Sequence, residues 1–372
     1  MQLILALGLA LSFPASSIQA QESVKGRKSL VFRGVQTLLV VDLAGGSIAN
    51  FHFNDLPLNP LQWATPEEGD PSIRGFGHFL CLDRWGPPSD AEGANGMPYH
   101  GEAARVEWTT VSEPAADGDF MQAEMSASLP LAGLAIHRTI RSSREFAVFM
   151  VREQISNKNK LGRVLNCVQH PTIGPPFLDE STIVDCNGVK GFAQGNASAA
   201  TPEEPSFEWP NALKPNGQRV DMRRLADDPA PNVVSYAIDA AHGWVTAVTP
   251  GKGLLIGYVW KTSDYPWVSL WRDVREGRPS ARGLEFGSTG LHQPFPILTK
   301  KGRIFGRPLF EFLDANQSMI KSYAVFLLKV PTDFAGVGSL AIEKDRISLN
   351  ESPGSKGRTF IVESPGLLQQ LN

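Results

Sequence analysis

The sequence predicts an all-β protein, a large antiparallel β-sandwich, and three observations carry that expectation. Its 372 residues include 35 Gly and 28 Pro, far more turn signals than a helical protein tolerates. The segments between them are short, apolar and rich in β-branched residues, and long helices with apolar positions recurring at three and four are almost absent. Finally, residues 31–53, VFRGVQTLLVVDLAGGSIANFHF, place two such runs, 37–41 and 47–53, on either side of Gly45-Gly46, which reads as a hairpin.

Ahead of that hairpin, residues 3–13 form an apolar run, followed by small and polar residues ending Ser16-Ser17-Ile18-Gln19-Ala20 before Gln21-Glu22. The run is too short for a comfortable membrane span and has the shape of a secretory signal peptide cut after Ala20. Further strands are expected over 104–111, 120–129, 135–141, 146–157, 164–168, 243–249, 253–260 and 320–330. Residues 55–70 and 195–219, rich in Pro, Asn, Glu and Gly, read as loops able to rim a cleft. The expected organisation is a signal peptide over 1–20, one sandwich domain over 21–350, and a C-terminal extension over 351–372 containing a short apolar TFIV.

Composition narrows the partners. A net charge of -3 gives no footprint for a polyanion, so nucleic acid is not an expected partner. After signal cleavage no stretch is long and apolar enough to cross a bilayer, and the expected location is periplasmic or secreted. Cys81, Cys167 and Cys186 are odd in number and lack CxxC or CxH spacing, which suggests neither a zinc site nor a redox pair. Cys167 lies near His170, but a small buried thiol is the commoner condition for such a residue than a nucleophile.

Three separated segments carry proton-moving residues among Gly, Pro and aromatic neighbours: residues 100–108 (HGEAARVEW), 166–177 (NCVQHPTIGPPF) and 283–296 (GLEFGSTGLHQPFP). His100 offers a donor and an acceptor to a polar ligand, Arg105 a fork of donors, and Trp85 or Trp108 a flat apolar face. Gly101 lets the backbone turn sharply beside a ligand. His170 follows the strand over 164–168 and precedes Pro171, so its ring is expected at a rigid sheet edge. Glu285 lies between Leu284 and Phe286 and on a strand points opposite to both, ahead of a loop holding His292 and Gln293. Trp267 and Trp271, four apart, share one strand face, where filling the core and stacking a ligand are both open.

Together these segments resemble the galactose mutarotase, or aldose 1-epimerase, superfamily, and especially its hexose-phosphate mutarotase-like branch. The resemblance rests on RGFGHFLCLDRWGPP (residues 74–88) followed by MPYHG (97–101), on the strand leading to His170, and on the late segment around Glu285. It implies the galactose mutarotase-like supersandwich fold. It also implies His170 and Glu285 as catalytic residues, and His100, Arg105, Arg74, Asp273 and Trp271 as substrate-binding residues, with Asp264 as the alternative to Asp273. In relatives an aromatic follows the catalytic His; here Phe177 stands farther on, after an inserted Gly-Pro-Pro. The partner implied is a carbohydrate, a free hexose or small glycan, with no metal and no cofactor.

Interconverting anomers requires taking the proton from the anomeric hydroxyl while protonating the ring oxygen, so that the ring opens, rotates and closes on its other face. Glu285 is expected as the base and His170 as the acid, with the carboxylate raising the imidazole's pKa. The expected activity is that of an exported aldose 1-epimerase-like isomerase. Two alternatives stand beside it. One is a non-catalytic carbohydrate-binding protein of the same fold; the other is a glycoside hydrolase or lyase on a related sandwich, although a hydrolase needs two carboxyls and the motifs offer one firm Glu.

Overall fold

A computed structural model describes residues 26–64, 75–195 and 200–371; the expected signal peptide and Arg74 lie outside the described residues. Among these, paired strands dominate, and the α-helices Asp90–Ala94 and Phe295–Lys301 are short. The hairpin at Gly45-Gly46 forms as expected, pairing Thr37–Asp42 with Ile48–Phe53. Gly46 takes φ 63°, the left-handed region that glycine enters without strain.

Two large antiparallel sheets face each other. One follows the order Ser29–Arg33, Thr37–Asp42, Ile48–Phe53, His78–Asp83, Arg163–Ile173, Arg278–Gly287, Trp267–Arg275, Val233–Ile238, Gly188–Ala193 and Ser206–Glu208, with Glu311–Leu313 paired off Arg163–Ile173. The other follows Ile183–Cys186, His242–Thr249, Leu254–Lys261, Ser318–Lys329, Val148–Asn157, Leu134–Ser143, Phe120–Leu129 and Thr109–Asp117. Their inner faces meet over one continuous apolar core, in which Trp260 stacks on Phe286 at 4.1 Å. That core also holds a polar chain. His78 bonds Gln169 at 3.0 Å, Gln169 donates to Glu153 at 2.7 Å, and Glu153 pairs with Arg138 at 2.7 Å.

A third sheet, Val337–Ile342, Arg346–Glu351 and Thr359–Glu363, covers the outer face of the second. Burial along the strands records this layering. Leu134–Ser143 alternates buried and half-buried residues, the period-2 pattern of a strand wet on one face. Leu254–Lys261 is buried at every position but its last, because layers lie on both sides of it. The TFIV segment supplies the third sheet's last strand, and residue 350 falls inside its middle strand.

Three local expectations change. Residues 104–111 do not form one strand: a 3-10 turn, Ala103–Arg105, precedes the strand Thr109–Asp117. Trp108 folds the segment back by burying its ring and donating from Nε1 to the Ala103 carbonyl at 2.9 Å. The loop expected over 195–219 contains the short strands Ser206–Glu208 and Asn211–Leu213. Finally, the His170 strand does not stop at His170 but runs Arg163–Ile173, so this histidine sits inside the sheet and not at its edge.

Candidate active site

Strand alternation splits the residues around His170 between two faces. Gln169 points into the sandwich core, so His170 points out of the opposite face. Registered partners on either side of Pro171, Gly283 with Thr172 and Phe286 with Gln169, set Glu285 directly across from His170. Pairing lapses between those positions, where Pro171 has no N–H to give. Phe79 is His170's partner on its other side and Ser269 is Glu285's. Phe79, His170, Glu285 and Ser269 therefore form one cross-strand row on one face.

A preformed lobe hangs over this row. After the strand His78–Asp83, Asp83 adopts φ 85°, a strained value for a non-glycine residue. Its buried carboxylate holds Arg84 at 2.6 Å and also pairs with Arg163. Arg84 reaches on to Glu92 at 2.8 Å. Glu92 closes a capping box with Ser89 on the helix Asp90–Ala94. The lobe returns through His100 at φ 67° and Gly101 at φ 76°, and a Cβ on Gly101 would run into the Leu82 carbonyl. Here glycine is required by space as well as by backbone angle.

The lobe and the sheet close around one cluster. His170 Nε2 lies 3.3 Å from Glu285 Oε1, and Trp85 Nε1 donates to Glu285 Oε2 at 2.6 Å. The other ring nitrogen of His170 meets Thr172 Oγ1 at 3.0 Å, while Phe79 stacks on the ring at 4.2 Å. His100 sits 5.4 Å from His170 and 5.5 Å from His292 between ring centroids. His292 Nε2 meets the Tyr99 hydroxyl at 3.1 Å. Trp271 lies 6.2 Å from His170 and 5.8 Å from Trp63. One side of the acid-base pair is thus aromatic, from Phe79, Trp63 and Trp271, and the other is polar, from His100, Tyr99 and His292.

Burial governs the protons. Glu285 is 1% exposed and His170 5%. Loss of solvent pushes Glu285 up to about 8, against the opposing pull of the Trp85 N–H. The same desolvation lowers His170 to about 3 and His292 to about 4, and holds His100 well below its ordinary value. The expectation that the carboxylate raises His170 is therefore corrected: burial lowers the imidazole, and the same burial pushes the Glu285 carboxyl toward its neutral form. Near neutrality the pair holds one proton, on the carboxyl.

The remaining expected residues divide. His100 and Trp271 join the cluster. Arg105 is exposed at the end of its 3-10 turn; its charge reaches His100 and helps to lower that residue's pKa. Asp273 is not brought in: at the far end of its strand it accepts from Arg275 at 3.1 Å and from Ser280 at 2.6 Å. Its alternative, Asp264, accepts from the Ser322 N–H at 3.2 Å, away from the cluster. Trp108 is core, under the Arg138 guanidinium at 4.4 Å, and Phe177 and Trp267 are also buried in cores. All three cysteines are free and buried. Sequence reasoning left Phe79, Trp63, Tyr99, Thr172 and His292 without a place in the site. Only His292, inside the GLHQP loop, carried a usable signal.

An all-β sandwich with a buried carboxyl-imidazole pair on one sheet face defines the class, and comparison with solved structures fixes the fold. The chain has the galactose mutarotase-like fold. A galactose mutarotase-like protein from Clostridium acetobutylicum superposes with a TM-score of 0.61 at 14% identity, over 83% of this chain and 98% of that one. A galactose mutarotase related enzyme from Lactobacillus acidophilus gives 0.59 at 12% identity, over 82% and 98%. A protein provisionally described as an aldose 1-epimerase, from Escherichia coli K12, gives 0.56 at 13% identity, over 82% and 99%. No family model matches the chain, and no curated protein sequence matches it.

Proposed function

We infer that the protein is an exported aldose 1-epimerase-like isomerase that interconverts the anomers of a carbohydrate, a free hexose or the reducing end of a small glycan. The observation that carries this reading is the opposed pair His170 Nε2 and Glu285 Oε1, 3.3 Å apart, between an aromatic wall and a polar one. The anomeric hydroxyl and the ring oxygen are bonded to the same carbon, so a base and an acid must act on two neighbouring atoms. A pair this close meets that requirement.

The pair holds one proton. In this reading sugar binding draws it from Glu285 Oε1 to His170 Nε2, leaving a carboxylate and an imidazolium. The carboxylate takes the anomeric hydroxyl proton as the bond from C1 to the ring oxygen breaks, and the imidazolium protonates that oxygen. The aldehyde turns about its C1–C2 bond, and the reverse transfers close the ring as the other anomer. Atoms and charge balance, and the pair returns to its starting state. Among the described residues the cluster's hydrogen bonds and ring contacts bring in no second carboxyl, which favours epimerisation over hydrolysis.

The test is the mutarotation rate of freshly dissolved α-glucose and α-galactose, followed by polarimetry or proton NMR with protein lacking residues 1–20. Acceleration that disappears in Glu285→Gln supports the reading. Saturable sugar binding without acceleration would replace it with a binding protein of the same fold.

A further inference from the structure

We propose that Trp85 is a positioning residue that reserves Glu285 Oε2 through its indole N–H, so that the carboxyl exchanges its proton only through Oε1. This rests on the acid-base reading of the site but uses different observations. Trp85 is 1% exposed and donates to Oε2 at 2.6 Å, a short contact for an N–H donor. The indole is itself fixed. It follows the Asp83-Arg84 elbow, and the ring of His292 packs against it nearly at right angles, 4.6 Å between centroids. Gly86, next in sequence, takes φ 99°. A Cβ there would press on the His292 ring at 3.0 Å.

The surroundings make this donor decisive. The groups facing Glu285 are His170 from the adjoining strand, Ser269 from the strand on the other side, Cys81 from His78–Asp83 and Tyr99 from the lobe, while His292 packs against Trp85. Burial keeps the cysteine and tyrosine protonated and the two imidazoles neutral. No cation touches the carboxyl among the described residues. The Trp85 N–H is the fixed dipole that favours the carboxylate. With Oε2 held, the carboxyl cannot turn, and Oε1 stays aimed at His170 and at any oxygen bound between them.

The experiment reads Glu285 directly. Its protonated carboxyl stretch, assigned as the infrared band lost in Glu285→Gln, is titrated in native protein and in Trp85→Phe, which keeps a ring but removes the donor. Loss of a hydrogen bond to a charged group moves the ionisation constant by about tenfold or more, with the midpoint rising in Trp85→Phe. A midpoint unchanged within twofold in a folded variant overturns the proposal. Should Trp85→Phe not fold, the native indole N–H resonance of Trp85 must shift with the same midpoint as the carboxyl band, and a resonance that ignores that titration overturns it equally. Neither readout needs turnover, so absence of anomerisation would remove the functional reading while leaving this one standing. Where turnover is present, Trp85→Phe lowers kcat with KM little changed.

Discussion

The backbone N–H of Gly86 donates to Nδ1 of His100 at 3.0 Å. An imidazole nitrogen that accepts cannot carry the proton, so neutral His100 holds its proton on Nε2, available to the site as a donor. Burial and the neighbouring charges hold its pKa well below the ordinary value. The expected outcome in nitrogen NMR is a single Nε2–H tautomer, unchanged from pH 5 to pH 8. A titrating His100 in that range contradicts the arrangement.

Removing either member of the pair stops proton exchange without emptying the core. Glu285→Gln and His170→Ala each lower the anomerisation rate by about 10² to 10⁴, while circular dichroism and sugar affinity stay near native. Full activity in either variant removes the mechanism.

Acidity separates the two partners. Glu285 rises from 4.5 to about 8 on folding, so the stability it contributes is complete below pH 4.5 and is lost as pH climbs through 8. His170 falls from 6.5 to about 3, and its contribution is complete above pH 6.5 and lost as pH drops through 3. Relative to native protein, Glu285→Gln therefore gains stability between pH 4.5 and 8, by on the order of a few kcal/mol in denaturant titrations. The rate should fall above about pH 8, as the pair loses its one proton.

Trp271, half-buried, stands over the pair beside Trp63. Trp271→Ala is expected to weaken sugar binding by about tenfold, measured by calorimetry, because an aromatic face supplies the stacking partner for the apolar side of a pyranose. The variant should melt close to native.

Beneath the site, the Arg138–Glu153 pair lies wholly inside the sandwich. Arg138→Met leaves an unpaired buried carboxylate and is expected to cost about 3 to 5 kcal/mol in chemical unfolding. Replacing both residues with apolar ones should recover much of that loss.

Much of this architecture was legible because strand chemistry is local. The Gly45-Gly46 hairpin, the alternating run near Ile136 and the outward turn of Glu285 each follow from neighbours in sequence. His170 and Glu285 could be nominated from their motifs, but their direct opposition depends on a register set across two strands far apart in the chain. Phe79 is silent because an aromatic residue on a strand looks the same whether it fills a core or walls a pocket, and Trp63 because nothing local marks a loop residue that folds back over the sheet. Asp273 failed for a nearby reason: Arg275 and Ser280, within its own hairpin, take up its carboxylate. The sign of the His170 shift was missed because sequence shows a neighbouring charge more readily than the depth at which both groups are buried.

The third sheet also bears on how the chain survives in solution. Val148, Leu255, Val259 and Phe326 lie on the outward face of the second sheet, shielded by Ile347, Leu349, Val362 and Leu368 from the last forty or so residues. Proteolytic clipping after Val330 would strip that shield and uncover a broad apolar surface while leaving every residue of the acid-base cluster in the chain. Such a fragment should precipitate. Solubility, more than chemistry, is what the C-terminal strands protect.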